Sequence, residues 1–258
     1  MMIETRPQTL RIFVGFDPRQ VIGYTACATS ILSRSSLPVA ITPLILETVP
    51  IKRQGLTPFT YSRFLVPWLC GFEGWALFVD ADVIFTADVA KLFANGHERF
   101  AVVIRDDPDG IAFERAALML FNCAHPDNAV LTPVYVGDAE RCRTPHLIDW
   151  TLAVGTFDPR WGHLAGYNAP REDALAVHFT QGVPAWPETF DCEWSEHWVR
   201  AVALAMYPWS LKQVETQIPW SAVMGRSVHA KTLADGRVVP KLYDETKAPA
   251  TETDRGGA

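Results

Sequence analysis

Two carboxylates lie two residues apart in the apolar run from Trp75 to Phe85, and they are the feature of this sequence best suited to chemistry. Side chains alternate between the two faces of an extended strand, so Asp80 and Asp82 are predicted to point to the same side. Burying both anions without a counter-charge would cost on the order of several kcal/mol. We therefore expect the pair to lie at the open end of the strand and to bind a divalent metal that carries a phosphate. The alternative is that the two residues only end the strand before a turn.

A second short buried strand ends in a histidine. The segment from Ala174 to Trp186 has the pattern of such a strand, which ends at His178 and opens into a loop containing Gly182 and Pro184. His178 is a candidate third ligand, although a histidine at a strand end is also often a hydrogen-bonded core residue. Two carboxylates and one imidazole form an oxygen-rich set with one borderline donor, which suits Mn²⁺ better than Ca²⁺.

The elements that must position these residues alternate between strands and helices, which is typical of a mostly parallel sheet. The strand before Asp80 is apolar on both faces and so belongs inside such a sheet, where ligands bind beyond the carboxyl ends of the strands. The predicted elements are a strand over 11–16, a helix that begins at the Asp17-Pro18 signal and extends to Leu32, a strand over 39–46, a helix after Thr57-Pro58 that passes through Trp68, the strand over 75–85, a short helix through Leu92, a strand over 100–104 and a helix from Ser195.

Composition limits the classes of protein that fit. A chain of 258 residues can form one α/β domain with an appended helical lobe. The net charge of −6 and the pI near 5.6 argue against nucleic acid as the main partner. We find no signal peptide and no transmembrane segment, so we expect a cytoplasmic protein. The cysteines show no Cys-x-x-Cys spacing and are expected to be reduced packing residues; they are Cys27, Cys70, Cys123, Cys142 and Cys192.

The order of these parts resembles that of GT-A glycosyltransferases, and in particular family eight of the glycosyltransferases, the glycogenin and bacterial galactosyltransferase group. The resemblance extends from about Leu10 to about Trp186, and the order of the segments is more specific than any one of them. The segments are Phe13-Val14-Gly15-Phe16-Asp17, Tyr61-Ser62-Arg63-Phe64, Asp80-Ala81-Asp82, Leu118-Met119-Leu120-Phe121-Asn122, Leu147-Ile148-Asp149, Trp161-Gly162-His163-Leu164 and His178 to Trp186.

The resemblance implies an α/β fold with a Rossmann-like, mixed and mostly parallel sheet that is flanked by helices. It places the nucleotide-sugar-binding and catalytic domain in residues 1–190. Residues 191–246 are then expected to form a helical C-terminal lobe. The polar end of the chain, residues 247–258, is expected to be a disordered tail.

The resemblance also implies a metal and a nucleotide for the site. Asp80, Asp82 and His178 would hold Mn²⁺, with Mg²⁺ as the alternative, and Asp82 would lie on the side of the diphosphate. Asp17 would face the nucleotide base, with Phe16 beside it in the base-binding segment. The expected donor is a UDP-sugar.

Four further residues receive roles by the same resemblance. Arg63 would reach the donor sugar or the diphosphate, a task suited to a planar fork of donors. Gly182 would let the backbone approach the phosphates because it has no Cβ. Trp186 lies in the loop that follows His178 and is a candidate for contact with the sugar ring. Asp149 occupies the acidic position on the sugar side and would hold donor hydroxyls.

The expected activity is a metal-dependent transfer of a sugar to an acceptor hydroxyl with retention, the acceptor being a glycan, a glycolipid or another hydroxyl compound. The family's late motif runs His-x-x-Gly-x-x-Lys-Pro-Trp, whereas here His178 and Gly182 are four residues apart and no lysine precedes Pro184. This difference keeps open a non-catalytic nucleotide-sugar-binding protein. A nucleotidyltransferase is the other alternative, but the segment Gly15 to Pro18 is not its glycine-rich phosphate loop. Peripheral contact with a membrane is left open.

Overall fold

The computed structural model describes residues 9–105, 112–143, 149–206, 230–232 and 238–240. In chain order its strands are β1 (Leu10–Gly15), β2 (Val39–Leu44), β3 (Trp75–Val79), β4 (Val83–Phe85), β5 (Val102–Ile104), β6 (Leu118–Asn122), β7 (Val154–Thr156), β8 (His163–Leu164), β9 (Ala176–His178), β10 (Ala230–Thr232) and β11 (Val238–Pro240). The α-helices are α1 (Val21–Leu32), α2 (Phe59–Ser62), α3 (Val66–Leu69), α4 (Ala90–Phe93), α5 (Pro133–Gly137) and α6 (Ser195–Met206). Turns of 3₁₀ helix cover Leu46–Thr48, Arg63–Leu65, Ala112–Ala117, Pro126–Val130 and Pro159–Gly162.

The central sheet has six strands in the order β2-β1-β3-β6-β5-β7. Strand β1 pairs in parallel with β2 and with β3, and β5 pairs in parallel with β7. Strand β6 is antiparallel to both of its neighbours, β3 and β5. The predicted α/β fold with a mixed, mostly parallel sheet is therefore confirmed.

Apolar side chains cover both faces of this sheet, as the predicted burial of its strands requires. Phe13 and Phe78 pack into the core on one face together with α2 and the helical turn that follows it. Ile12, Leu77 and Val79 point to the opposite face and pack against residues of α1 and of the segment that follows β4. The alternation along β1 and β3 gives each strand two buried faces, so both strands lie inside the domain.

A second sheet of three strands, in the order β4-β9-β8, lies next to the first. The predicted continuous strand from Trp75 to Phe85 is wrong in this respect, because β3 ends at Val79 and β4 begins at Val83 in the other sheet. Between them the chain turns, and the backbone N–H of Val83 donates to the carbonyl of Asp80 at 3.2 Å. The Asp-Ala-Asp sequence is thus the link between two sheets, beyond the carboxyl end of β3.

Helix α1 ends at Leu32, as expected, but it begins at Val21 and not at the Asp17-Pro18 signal. Residues 17–20 form a turn closed by the N–H of Gln20, which donates to the carbonyl of Asp17 at 2.9 Å. The helix predicted after Thr57-Pro58 is likewise divided into α2, a 3₁₀ turn and α3. Pro67 lies in α3 and has no N–H to donate, which weakens a continuous helical ladder at that point.

Helix α6 begins at Ser195, as predicted, and it packs on α1 through a core that contains Trp198, Val202 and Ala26. Two short antiparallel strands, β10 and β11, follow it and were not predicted. The rest of the expected C-terminal lobe and the expected tail lie outside the described residues, so the division into 1–190, 191–246 and 247–258 stays a prediction. Within the described part of the chain, no helix is both long enough and apolar enough to cross a membrane.

Candidate functional site

The two sheets bring three potential metal ligands together. Asp80 and Asp82 follow β3, and His178 is the last residue of β9, directly opposite Val83 in the β4–β9 ladder. The ladder continues one step further, because the N–H of Phe179 donates to the carbonyl of Asp82 at 3.0 Å. One potential ligand atom from each of Asp80, Asp82 and His178 lies within 4.8 Å of the other two. The structure therefore groups the same three residues that the sequence grouped.

The chemistry of these three residues fits a divalent cation. Oδ1 of Asp80 is buried and accepts no hydrogen bond, although Nη1 of Arg63 lies 3.2 Å from it, so it is a candidate ligand atom beside a positive charge. Nε2 of His178 lies 3.1 Å from Oδ1 of Asp82, so both atoms face the same space. Two carboxylate oxygens and an imidazole nitrogen are donors that Mn²⁺ and Mg²⁺ accept, with Mn²⁺ favoured by the nitrogen.

Arg63 supplies the positive charge nearest to Asp80. Its Nη1 lies 3.2 Å from Oδ1 of Asp80 and also donates to the carbonyl of Ala116 at 2.7 Å. Its Nε donates to the carbonyl of Phe59, and its guanidinium lies over the ring of Phe78. Burial raises the pKa of Asp80 to about 7, although Arg63 opposes the shift. The structure thus places Arg63 as the partner of Asp80, one of the three candidate metal ligands; its predicted contact with the donor stays a prediction.

His178 lies between two carboxylates. Its Nε2 faces Asp82, and its Nδ1 lies 3.1 Å from Oε2 of Glu114. Burial alone would lower the pKa of His178, but the charge of Asp82 and the hydrogen bonds to both acids raise this pKa well above its usual value. For Asp82, burial acts to raise the pKa, and His178 outweighs it so that the pKa falls. Sequence reasoning missed Glu114, because it belongs to no recognisable motif.

Asp17 lies at the same edge of the sheet as the metal-type cluster. Val14 pairs with Val79 in the parallel β1–β3 ladder, so the residues that follow the two strands leave the sheet side by side. Asp17 is only 4% exposed, and Arg19 donates to both of its carboxylate oxygens, with Nη2 at 2.6 Å from Oδ2. The Arg19 side chain itself is 55% exposed. The predicted base-binding acid is thus already bound by an arginine that the sequence analysis did not consider.

Phe16, which precedes Asp17, is half-buried and packs edge-to-face against Tyr24, with ring centroids 5.5 Å apart. Gly182 and Trp186 lie in the loop after β9, on the other side of the cluster. The φ angle of Gly182 is 123°, a value that favours glycine whatever space surrounds it. Trp186 is half-buried against the core between α1 and α6. The roles of these three residues at the site stay predictions.

Asp149 is exposed, and it is not one of the three residues of the metal-type cluster found in the described part of the chain. Its neighbours Leu147 and Ile148 lie outside the described residues. Trp150 packs against Phe64 and donates its indole N–H to Asn128 at 2.9 Å. The segment around Asp149 is therefore anchored by Trp150, while the distance from Asp149 to a donor sugar stays untested.

The comparisons with known proteins assign the chain to a family. No family model matches it. Protein CDI of Arabidopsis thaliana is 33% identical to it over 221 residues, which cover 73% of this chain and 84% of that protein. The chain belongs to the Protein CDI family.

Solved glycosyltransferase structures share the fold of this CDI-family chain. The bifunctional glycosyltransferase WbbM matches 83% of the chain with a TM-score of 0.60 and 13% identity. GlyE of Streptococcus pneumoniae TIGR4 matches 80% of it with a TM-score of 0.60 and 15% identity. The galactosyltransferase LgtC, solved with donor and acceptor sugar analogues, matches 75% of it with a TM-score of 0.55 and 10% identity. The CDI-family chain spans 53% of WbbM, 65% of GlyE and 95% of LgtC. Its fold is therefore the GT-A fold.

Proposed function

We propose that this CDI-family protein is a glycosyltransferase related to family eight, which moves a sugar from a UDP-sugar to an acceptor hydroxyl and depends on a divalent metal. The observation that carries the proposal is the meeting of Asp80, Asp82 and His178 beyond the carboxyl end of β3, in a chain with the GT-A fold. Ligands of open α/β sheets bind at this edge. A cytoplasmic location is part of the proposal.

In this proposal Asp80, Asp82 and His178 would hold a divalent cation, which would supply positive charge to offset the negative charge that develops on the departing diphosphate. Arg63, whose Nη1 lies 3.2 Å from Oδ1 of Asp80, stabilises the ionised form of this buried carboxylate. Gly182 allows the backbone to approach the phosphates. In the transfer with retention, the bond from the anomeric carbon to the phosphate breaks, the bond to the acceptor oxygen forms on the same face, and the phosphate oxygen takes the acceptor proton.

The proposal predicts selectivity for uridine. Asp17 would accept the ring N–H of uracil, a donor that cytosine and adenine lack in the same form; guanine also presents a ring N–H, so GDP is the competitor in the screen. In a thermal-shift screen of UDP-, GDP-, CDP- and ADP-sugars with Mn²⁺, we expect UDP-sugars to stabilise the protein most. A ligand at 100 times its dissociation constant should add about 2.7 kcal/mol. Asp17→Ala should narrow the gap between UDP and CDP, and equal binding of all four nucleotides by the wild type would contradict the uridine assignment.

Arg19 gives this prediction a second measurement, because it competes with the base for the oxygens of Asp17. The Arg19 end of this ion pair is 55% exposed although Asp17 is buried, and a solvent-accessible pair contributes about 1 kcal/mol at most, so Arg19→Ala should tighten UDP binding by up to about fivefold. Arg160→Ala is the matched control, since Arg160 binds Asp158 with the same geometry and Nη2 lies 2.7 Å from Oδ2. The control should leave UDP binding unchanged. Weaker UDP binding by Arg19→Ala would assign Arg19 to the nucleotide and not to Asp17.

The proposal also predicts retention of configuration. An inverting enzyme needs a base within about 3 Å of the acceptor hydroxyl on the face opposite the leaving group. We expect an α-linked product from an α-linked donor, read from the anomeric proton by NMR. Asp149→Asn should lower turnover more than it weakens binding of UDP, which lacks the sugar. Asp173→Asn is the control for Asp149→Asn. Asp173 accepts a hydrogen bond from Arg171 at 2.7 Å, and we expect its substitution to leave turnover and UDP binding unchanged. A β-linked product would refute retention.

The absence of a lysine before Pro184 favours one second candidate, a nucleotide-sugar-binding protein without catalysis. Such a protein would bind UDP-sugars in the screen but would neither transfer nor hydrolyse them. Measuring donor hydrolysis with Mn²⁺ and with EDTA separates the two, because only the enzyme shows a metal-dependent release of UDP.

A further inference from the structure

Glu114 is a buried carboxylate that adjoins the cluster of Asp80, Asp82 and His178 without belonging to it. It is 6% exposed. Its Oε2 lies 3.1 Å from Nδ1 of His178, and its Oε1 accepts a hydrogen bond from the hydroxyl of Thr180. Oε1 of Glu114 thus has a hydrogen-bond partner in Thr180, and Oε2 has an ion-pair contact with Nδ1 of His178, a buried nitrogen that forms no aligned hydrogen bond in this structure. Both partners belong to the end of β9 and the residues that follow it.

The segment that carries Glu114 is fixed against the rest of the site by its backbone. The carbonyl of Ala116 accepts from Nη1 of Arg63 at 2.7 Å, and the carbonyl of Ala117 accepts from the N–H of Asp80 at 2.9 Å. Within four residues, the 3₁₀ turn thus contacts His178, Arg63 and Asp80. Because these contacts hold the turn at the site, the position of the Glu114 carboxylate relative to the His178 ring is defined by the fold.

The two ring nitrogens of His178 have different neighbours, and this decides which of them can bind a metal. A metal binds an imidazole nitrogen that carries no proton, and the other nitrogen then keeps its hydrogen. Nδ1 faces Glu114, whose carboxylate accepts an N–H. Nε2 faces Asp82, on the side of the candidate cation.

We propose that Glu114 is a positioning residue, which accepts the Nδ1–H of His178 and so directs Nε2 toward the divalent cation. This inference rests on the proposed metal site. A carboxylate on the far nitrogen of a metal-binding histidine fixes the tautomer and the ring orientation and makes the ligand more basic. Glu114 acts through His178 and does not itself touch the cation.

The test is the affinity for Mn²⁺, measured by calorimetry on the full chain without nucleotide. Losing the partner of a metal-binding histidine typically weakens metal binding by about 10- to 100-fold. We expect a loss toward the lower end of this range for Glu114→Gln, which keeps the shape of the side chain and one oxygen acceptor but removes the charge that makes His178 more basic. Glu193→Gln is the matched control. Glu193 is the partner of another buried histidine, His163, with Nε2 2.9 Å from Oε1. We expect the control to bind Mn²⁺ as the wild type does.

A second measurement separates positioning from a role in stability alone. The rise in Tm on adding Mn²⁺ is compared between the wild type and Glu114→Ala, because this difference can be read even when the variant is less stable. We expect a smaller rise in the variant. A lower Tm with an unchanged rise and unchanged Mn²⁺ affinity would overturn the role of Glu114 alone, since the metal site would still be present. A wild type that binds no Mn²⁺ would overturn the metal site and this inference together.

Discussion

Replacing Asp82 with asparagine is expected to abolish the Mn²⁺-dependent binding of UDP while the fold stays intact. Asp82 is a proposed metal ligand on the diphosphate side, and its Oδ1 is also the atom that faces Nε2 of His178 at 3.1 Å. An amide removes the charge that attracts the cation. The side chain of Asp82 is 31% exposed, and the substitution therefore changes little of the buried surface. The measurement is calorimetric titration of UDP into the protein with Mn²⁺ and with EDTA.

Asp88→Asn is the control for this experiment, because it changes the charge by the same amount a few residues along the chain. Asp88 accepts hydrogen bonds from the backbone N–H and the hydroxyl of Ser36 and does not belong to the cluster. We expect the control to bind UDP with Mn²⁺ as the wild type does. Equal binding by Asp82→Asn and the wild type would remove the metal-site proposal.

Asp80→Asn is expected to stabilise the metal-free protein at pH 8. Burial raises the pKa of Asp80 to about 7, and the negative charge of Asp82 adds to the shift that Arg63 opposes. The pKa of an aspartate in the unfolded chain is about 4, so keeping Asp80 ionised costs the folded state up to about 4 kcal/mol at alkaline pH. An asparagine at this position removes that cost, and its amide oxygen can still accept a hydrogen bond from Arg63.

The size of this stabilisation depends on pH in a defined way. Because the folded-state pKa of Asp80 is raised, the folded protein binds more protons than the unfolded chain between about pH 4 and pH 7. The stabilising contribution is full below about pH 4 and is lost as the pH rises through about 7. The increase in the free energy of unfolding caused by Asp80→Asn, measured in urea with EDTA, should therefore be small at pH 4 and largest at pH 8. A gain that does not change with pH would contradict this account.

In the same unfolding experiment, Asp82→Asn is expected to have the opposite effect on stability from Asp80→Asn. Burial acts to raise the pKa of Asp82, but the attraction and the hydrogen bond of His178 lower it overall. The ionised carboxylate of Asp82 therefore stabilises the metal-free fold, and the substitution should destabilise it at pH 8. The two substitutions therefore have opposite expected effects on the stability of the metal-free protein, although the sequence presents the two aspartates as a pair.

The closeness of Asp80 and Asp82 at a ligand-binding edge could be predicted from the sequence, because both follow a buried strand of an α/β sheet. His178 could be named only as a candidate, because β9 belongs to the second sheet and its antiparallel pairing with β4 brings it to the aspartates. The break after Val79 could not be predicted. Val83 and the two apolar residues after it fit a continued strand as well as a new one. Only the pairing of β4 with β9, far along the chain, decides that the strand ends and a second sheet begins.

Other parts of the site differ in how much the sequence could reveal. Glu114 lies in an irregular turn without periodicity, and its contact with His178 depends on tertiary structure alone. The hydrogen bonds from Arg19 to Asp17 lie within a short sequence that occurs twice in the chain. The tetrapeptide Phe-Asp-Pro-Arg occurs at 16–19 and again at 157–160, and in both copies the arginine folds back onto the aspartate. The repeated tetrapeptide thus adopts the same side-chain pairing in both places.

The register of the β4–β9 ladder has a consequence for folding fidelity. His178 reaches the two aspartates only because it lies opposite Val83. A slip of one residue would turn its side chain to the other face and bring an apolar neighbour, Val177 or Phe179, to the site. A cation bound by the three residues would stabilise the correct register and no other. Metal binding would thus stabilise the correct pairing of two strands that are far apart in sequence, and it would disfavour molecules in which the three-stranded sheet has formed in a shifted register.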